Sequence, residues 1–261
     1  MKLSKTSVGT HQFWYQKTDT YIGQRIALNK YEPYLTRLML TQVKPTDIVV
    51  DVGANLGYHS VHFAAKVKKV YAFEPEKINF QLLTKNIQAN HLANVALFNL
   101  ALGSRQAQKK LFLSSTNFGD HRLFGRGPNY FPIVVDRLDS VVTHKIDLIK
   151  LDVQGWEPEV ILGAQNTIKK YHPKIFFEFS PELYRQAKVD ARAMWRFLAS
   201  EYGCIYFIDE YIQIYYPAWR LPHHSGSFWV TNDKNFQFYF GQIKDFWPKK
   251  WLKRVLGRPP T

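Results

Sequence analysis

The sequence predicts an α/β fold, built on a mostly parallel sheet with helices on both faces. Three observations carry this. The run Ile48-Val49-Val50-Asp51-Val52 leads into the glycine-bearing turn Gly53-Ala54-Asn55-Leu56-Gly57. A second apolar run, Tyr71-Ala72-Phe73, ends on Glu74-Pro75. Strand-like and helix-like segments then alternate, the pattern of parallel strands joined by crossover helices.

The elements follow in order. Residues 1–46 read as an N-terminal extension, in which Tyr31–Val43 could form a short helix with Tyr34, Leu35, Leu38 and Met39 on one side. The extension either covers a ligand cleft or packs on the sheet. The core occupies 47–232. Its first strand is about 47–52, with a helix near 57–66. The second strand is 69–73, followed by a helix near 77–90, and Asn94–Leu100 is the third strand. Leu111-Phe112-Leu113 and Ile133-Val134-Val135 read as a β-hairpin insertion around the polar loop Ser114–Pro132, which is long enough to suggest function. Ile146–Val153 is the fourth strand, with a helix from Glu157 to Tyr171. Ile175–Phe179 is the fifth, and Ala191–Glu201 is a helix. Ile205–Ile208, Ile212–Tyr215 and Ser227–Val230 suggest antiparallel strands at one sheet edge. Residues 233–261 form a basic aromatic tail, with Trp247, Trp251 and Leu252 among lysines and arginines.

Composition bounds the function. The 261 residues fit one domain with additions, and 46% hydrophobic residues is ordinary for a globular protein. The single cysteine, Cys204, excludes an intrachain disulfide and multi-cysteine zinc sites; it is expected in the core. No signal-like stretch and no run of roughly 18 apolar residues is present. The expected location is cytoplasmic. Lys and Arg number 35 against 21 Asp and Glu, giving +14, which raises encounter rates with polyanions. Nucleic acid, an anionic bilayer, nucleotide-sugars and phospholipid-linked glycans are the candidates, beside a basic protein with no anionic partner. The tail suits an anionic membrane surface at the inner face; a frayed basic tail is the alternative.

Asp51 and Glu74 stand 23 residues apart, close to one βαβ step. Gly53 and Gly57 let the backbone approach a ligand where a Cβ would clash, and Glu74 can accept both ribose hydroxyls. The loop reads D-x-G-x-x-x-G, without the G-x-G-x-x-G spacing of a dinucleotide site or the phosphate-loop pattern. A nucleoside ligand lacking phosphate fits better. S-adenosylmethionine (SAM) has a ribose for Glu74, a carboxylate for the loop N–H groups and an ammonium for polar groups near Asp51. A dinucleotide or a ligand-free structural turn is the alternative.

The chain resembles the FkbM family of SAM-dependent methyltransferases over about residues 47–180. The resemblance is carried by Asp51 to Gly57, Ala72-Phe73-Glu74-Pro75, Asn99-Leu100-Ala101-Leu102-Gly103, Gly119-Asp120-His121-Arg122 and Asp136-Arg137-Leu138-Asp139. It continues through Ile149-Lys150-Leu151-Asp152-Val153-Gln154-Gly155-Trp156-Glu157, Leu162-Gly163-Ala164 and Phe177-Glu178. Gln154 stands where the family usually has glutamate. The resemblance implies a Rossmann-like class I methyltransferase with a seven-stranded sheet and SAM at the C-terminal ends of the first four strands. Such enzymes are typically O-methyltransferases of sugars, glycans or secondary metabolites.

Methyl transfer from a sulfonium requires an aligned acceptor oxygen and removal of its proton. His121 is the expected general base, because its ordinary pKa suits proton removal near neutrality. Asp152, Glu157 and Glu178 complete the expected catalytic set. A Lys150–Glu178 ion pair is expected between neighbouring strands. Asp51, Gly53, Ala54, Asn55, Gly57, Ser60, Glu74 and Pro75 are expected at the cofactor, with Ser60 on its carboxylate. Asn99 and Ala101 are expected near the adenine, Asp120 to accept from the adenine amino group or to orient His121, and Asp152 in contact with SAM or acceptor. A divalent metal held by Asp152, Glu157 and Glu178 is conceivable but not favoured. His59 and His62 read as a helix surface, and His223-His224 as a turn that could line the acceptor cleft. The expected acceptor is a small molecule or glycan. Alternatives are an RNA methyltransferase, against which no RNA-binding motif is found, and a non-catalytic scaffold at a membrane surface.

Overall fold

The computed structural model describes residues 2–114, 117–209, 214–218 and 220–233. The basic aromatic tail and its expected membrane contact lie outside the described residues from 234 onward. The chain opens with a hairpin, β1 (Leu3–Val8) and β2 (His11–Gln16), turned at Gly9 with φ 57°. Helices α1 (Ile22–Ala27) and α2 (Pro33–Thr41) follow. The hairpin is not legible in the sequence, since Leu3-Ser4-Lys5-Thr6-Ser7-Val8 has apolar residues only at its ends. The expected helix is α2, and Leu35, Leu38 and Met39 are its buried apolar side chains.

The main sheet begins with β3 (Ile48–Val52), α3 (Tyr58–Ala64), β4 (Lys69–Phe73), α4 (Lys77–Ala89) and β5 (Val95–Phe98). A side sheet interrupts it, with β6 (Ala101–Leu102), β7 (Ala107–Phe112) and β8 (Tyr130–Asp136) in the order β6-β8-β7. Its antiparallel β7–β8 pair is the expected hairpin insertion. After α5 (Leu138–Val141) come β9 (Leu148–Leu151), α6 (Glu157–Gly163), α7 (Gln165–Tyr171) and β10 (Lys174–Phe179). The chain continues through α8 (Pro181–Ala187), α9 (Ala191–Glu201), β11 (Cys204–Asp209), β12 (Ile214–Pro217) and β13 (Gly226–Thr231).

The main sheet runs β12-β11-β13-β10-β9-β3-β4-β5. Strands β3, β4, β5, β9 and β10 are parallel, and β13 lies antiparallel between β10 and β11. Seven of the strands match the number that the resemblance implies, and β12 adds an eighth at the edge by pairing with β11. Strand order reverses between β3 and β9, the switch point where open α/β sheets bind ligands beyond their strand ends.

Two departures from expectation have local causes. The helix expected over Glu157–Tyr171 breaks at Ala164 into α6 and α7. Just before the break, Gly163 packs on the side sheet so closely that a Cβ would lie 1.9 Å from the Gly103 oxygen. Helix α8 starts at Ser180, whose hydroxyl accepts from Leu183 N, with Pro181 in the first turn.

Buried strands present alternate residues to opposite faces. Val49, Val70, Leu148, Phe176 and Trp229 join one apolar layer, and Val50, Val52, Ile149, Leu151 and Phe177 join the other. The first layer includes Phe13, Ile26, Leu35 and Met39, so residues before 47 share the main core. Burying each such side chain contributes roughly 1.5–3 kcal/mol. Asn86 fixes the hairpin on α4, accepting from Trp14 N at 2.6 Å and donating to Trp14 O at 3.0 Å. Among the described residues no helix is long and apolar enough to cross a membrane.

Candidate active site

A cleft of about 240 Å³ opens over the C-terminal ends of β3, β4 and β9. Its first wall is built from contiguous sequence. After β3 the chain turns at Gly53 with φ 76°, and a Cβ there would fall 1.9 Å from the Asp152 oxygen. Only glycine fits this approach. Asn55 takes φ 50° and Gly57 φ 92°, which aim the turn into α3. Glu74, at the end of β4, is 5% exposed and lines the cleft. Its carboxylate accepts from Asn55 N and Glu76 N, both at 2.8 Å. Burial nevertheless pushes its pKa up to about 8.

The hairpin-insertion loop roofs this wall. The Phe118 carbonyl accepts from Asn55 Nδ2 at 3.1 Å and Asn79 Nδ2 at 3.0 Å. His121 lines the cleft beside it. Its Nδ1 accepts from Ser114 N at 3.1 Å, so neutral His121 carries its proton on Nε2. Burial lowers its pKa, against the fields of Glu76, Asp120 and Asp19. His121 therefore belongs with the Glu74–Glu76 side, not with Asp152, and its neutral ring offers the cleft a donor. This corrects the expectation of a general base, which needs a free lone pair facing the substrate.

The opposite wall is acidic. Asp152 follows β9, Glu178 is in β10, and Glu32 caps α2 with φ 42°. All three line the cleft, and their oxygens lie within 4.8 Å of one another. Glu32 Oε2 meets His59 Nε2 at 2.9 Å. Burial opposes the Glu32 charge, but His59 and Lys150 outweigh it and hold the pKa below the usual carboxylate value. Asp152 goes the other way: burial raises its pKa despite Lys150. Gln154 Nε2 donates to Asp152 Oδ1 at 2.8 Å. Gln154, at φ 51°, thus orients Asp152 where a glutamate would repel it.

Beneath both walls lies Lys150, 3% exposed. It faces Asp51 across the β3–β9 ladder, with Nζ 3.2 Å from Asp51 Oδ1 and 3.9 Å from Asp152 Oδ2. It also donates to the Gly53 carbonyl at 3.2 Å. Burial disfavours the ammonium, but Asp51, Asp152 and Glu32 overcome this and raise its pKa. The ladder places Lys150 opposite Phe176 on β10, so its ion pairs run to Asp51 and Asp152 instead of the expected Glu178.

Of the residues expected at the cofactor, Gly53, Asn55, Glu74, Pro75, Ala101 and Asp152 line the cleft. The others support it from outside. Asp51 is fully buried and accepts from the equally buried Ser60 hydroxyl at 2.6 Å, so Ser60 faces Asp51 and not a cofactor carboxylate. Ala54 and Gly57 are buried in the turn, and a Cβ on Gly57 would meet Leu83. Asn99 braces the end of β4, donating to Glu74 O at 2.9 Å. Asp120 is engaged bidentately by Arg122 at 2.6 and 2.9 Å, in the loop itself.

Glu157 corrects the expected catalytic set. It is 2% exposed and accepts from Val153 N at 3.0 Å and Gly155 N at 3.1 Å, tying down the loop after β9. Burial pushes its pKa up to about 7. Glu32 stands in the acidic cluster where Glu157 was expected. Nothing in the sequence near Glu32 announces this, although Glu32-Pro33 at a helix start is a capping position. His59 and His62 are not a helix surface either. The N-terminal segment covers them: His59 is 4% exposed, His62 stacks on Phe13 at 5.7 Å, and burial lowers the His62 pKa to about 4. Tyr21, Ile22 and Tyr31 of this segment also line the cleft.

Comparisons with known proteins find one family and several distant relatives. The FkbM methyltransferase domain matches residues 51–206. A hexuronic acid methyltransferase, AglP of Haloferax volcanii, is 28% identical over 141 residues, which are 53% of this chain and 58% of the relative. The chain thus spans less than two thirds of that relative's length. Among solved structures, the methyltransferase FkbM of Methylobacillus flagellatus KT aligns with a TM-score of 0.49 at 18% identity, covering 72% of this chain and 44% of its own. M. jannaschii TYW2 in complex with AdoMet gives 0.47 at 14%, covering 87% and 84%. A complex of aTrm5 and tRNALeu gives 0.48 at 14%, covering 87% and 51%. With the domain matched over more than half of its length, the chain belongs to the FkbM methyltransferase family.

Proposed function

We propose that this protein is a SAM-dependent O-methyltransferase acting on a hydroxyl of a sugar or glycan. The observation that carries the reading is the polarity of the cleft. One wall offers a single carboxylate, Glu74, beside a close-approach glycine turn, and the other offers Asp152, Glu178 and Glu32 together. Gly53, Asn55, Glu74 and Pro75 would hold the cofactor, with Glu74 accepting the ribose hydroxyls and Ala101 beside the base. When bound, SAM supplies the methyl group. The protein's task is then to hold an acceptor hydroxyl in line and take its proton.

Asp152 is our choice for the proton acceptor. Gln154 orients it, Lys150 sits 3.9 Å away, and burial moves its pKa toward neutrality. Glu178 and Glu32 would accept hydrogen bonds from neighbouring hydroxyls, which suits a polyol ring. His121, carrying its proton on Nε2, would donate on the cofactor side. The AglP relative supports a sugar acceptor. An RNA substrate is disfavoured, because the acidic wall repels phosphates.

The test is calorimetric titration of SAM, followed by methyl transfer to a panel of glycosides and nucleotide-sugars with and without EDTA. Micromolar SAM binding and turnover of a glycoside support the reading. A folded protein that binds no SAM would point to a non-catalytic scaffold. Activity is expected to survive EDTA, since Lys150 already supplies a cation beside Asp152. Loss restored by Mg²⁺ would make Glu32, Asp152 and Glu178 metal ligands instead.

A further inference from the structure

A second concavity, a groove of about 730 Å³, lies between α8 and α9. Its charge is opposite to that of the catalytic cleft. Arg185 from α8, Arg192 and Arg196 from α9 and the exposed His223 before β13 all line it. Arg192 and Arg196 are exposed and four residues apart, so they share one helix face, an arrangement that is unfavourable without a counter-charge. Neither has an ion-pair partner among the described residues. Arg185 pairs with Glu182 on its own helix. Asp190 is the groove's one carboxylate among the described residues, and it is engaged as the α9 cap, accepting from Ala193 N at 2.9 Å. The buried Trp195 contributes an aromatic surface to the groove.

The groove and the cleft meet at one strand end. Glu178 lines the cleft, and Phe179, the next residue of β10, lines the groove. Successive strand residues point to opposite faces, so the two concavities flank the C-terminal end of β10. Helix α8 joins them: Tyr184, in the groove, donates to the Glu178 carbonyl at 3.1 Å. An acceptor whose hydroxyl reaches Asp152 cannot place an anion against the acidic wall. Across the end of β10, Arg192 and Arg196 of α9 offer two cations without ion-pair partners among the described residues.

We propose that this groove binds the phosphate or diphosphate of an activated sugar whose hydroxyl enters the cleft. The proposal rests on the sugar-hydroxyl reading above and assigns the other end of the same acceptor. Arginine forks suit phosphate oxygens bidentately. Two sources share this chemistry, a nucleoside-diphosphate sugar and a lipid-diphosphate sugar.

The first arm of the test needs no turnover. Inorganic pyrophosphate is titrated into wild-type protein and into an Arg192→Glu/Arg196→Glu variant. A Lys44→Glu/Lys68→Glu variant serves as charge-matched control, altering exposed lysines in the loops before β3 and β4, at the N-terminal ends of the parallel strands and away from the end of β10 that the groove flanks. Saturable one-site binding, weakened at least tenfold in the arginine variant and less than twofold in the control, is the expected result. Equal weakening in both variants would reduce the effect to net charge and overturn the proposal. So would salt-steep binding of a single-stranded RNA, lost in the arginine variant, with no pyrophosphate binding; the groove would then be a nucleic-acid surface.

The second arm compares UDP-glucose with a lipid-diphosphate sugar in micelles as competitors of pyrophosphate, and the better competitor identifies the source. In turnover, the arginine variant should raise KM for the diphosphate acceptor about tenfold, leaving kcat, SAM affinity and KM for a simple methyl glycoside unchanged. An unchanged KM for the diphosphate acceptor would overturn the proposal. Failure of SAM binding or of all methyl transfer would instead strike the functional reading, without touching the pyrophosphate result.

Discussion

The two walls of the cleft are built in different ways. The Glu74 wall comes from adjoining pieces of chain: the turn after β3, the end of β4, and side chains that brace them from within about fifty residues. The acidic wall is assembled from three distant segments, α2, β9 and β10. The first wall is a local motif whose geometry is set by glycine and backbone hydrogen bonds. The second exists only because the N-terminal segment packs over α3 and brings Glu32 to Asp152. A cleft built this way can keep its glycine-turn wall fixed while the opposite wall changes with the segments laid over it.

Substitutions should separate the walls. Asp152→Asn is expected to lower kcat by about 10²–10⁴, the usual range for a positioned proton acceptor, while the SAM dissociation constant moves less than threefold. Single-turnover kinetics beside calorimetry would read both. A parallel loss of SAM affinity would mean that the walls are not independent.

Lys150 should break the separation, because it touches both. Lys150→Met leaves Asp51 fully buried without its counter-charge, which costs roughly 3–5 kcal/mol of stability. Urea unfolding measures this directly. A change below about 1 kcal/mol would show that the Asp51–Ser60 hydrogen bond alone supports the turn.

Above pH 8, where Glu74 is ionised, Glu74→Gln removes the charge from the other wall. Hydrogen bonds to a charged group are worth about 1.5–3 kcal/mol, so SAM affinity measured there should fall roughly 10- to 150-fold. The acceptor KM at saturating SAM should be unchanged. If that KM moved as well, Glu74 would be serving the acceptor.

The smallest effect is a pH dependence. With the Glu74 pKa near 8, the carboxylate proposed to accept the ribose hydroxyls is largely protonated at pH 6.5. SAM affinity should rise by up to about tenfold per pH unit toward 8 and then level off, and the slope should vanish in Glu74→Gln. Stability moves in the opposite sense. The folded-state pKa is raised above the ordinary glutamate value of 4.5, so the native protein keeps a proton that the unfolded chain releases. Glu74 thus favours the folded state fully below pH 4.5, and this contribution is lost as pH rises toward 8. An affinity that is flat with pH would mean the ligand does not use this carboxylate.

Much of the fold was readable because its signals are local. The β-branched run of β3, the Gly53–Gly57 turn and the acidic end of β4 each declare themselves within a few residues, and the parallel sheet follows from their repetition. The hairpin insertion and the late antiparallel strands are found for the same reason. The β1–β2 hairpin escaped because its solvent face and its covered face differ little in polarity. The burial of His62 escapes with it, since the hairpin covers that ring, and His59 is covered by the start of α2 through Tyr31, Glu32 and Thr36. Glu157 and Ser60 stand at motif positions that suggest ligand contact, yet both serve buried polar groups that would otherwise lack partners.

The sequence by itself determined the α/β class, the glycine turn, Glu74 at the end of its strand, and membership of a methyltransferase family. All of these depend on residues close along the chain, where spacing fixes geometry. Only the tertiary structure decided that Lys150 pairs with Asp51, that His121 stands on the Glu74 side of the cleft, and that Glu32 joins Asp152 and Glu178. Those facts depend on strand register and on which segment covers which face. Both are settled by burial of the whole core, because a buried charge takes the partner that the packed neighbours bring to it.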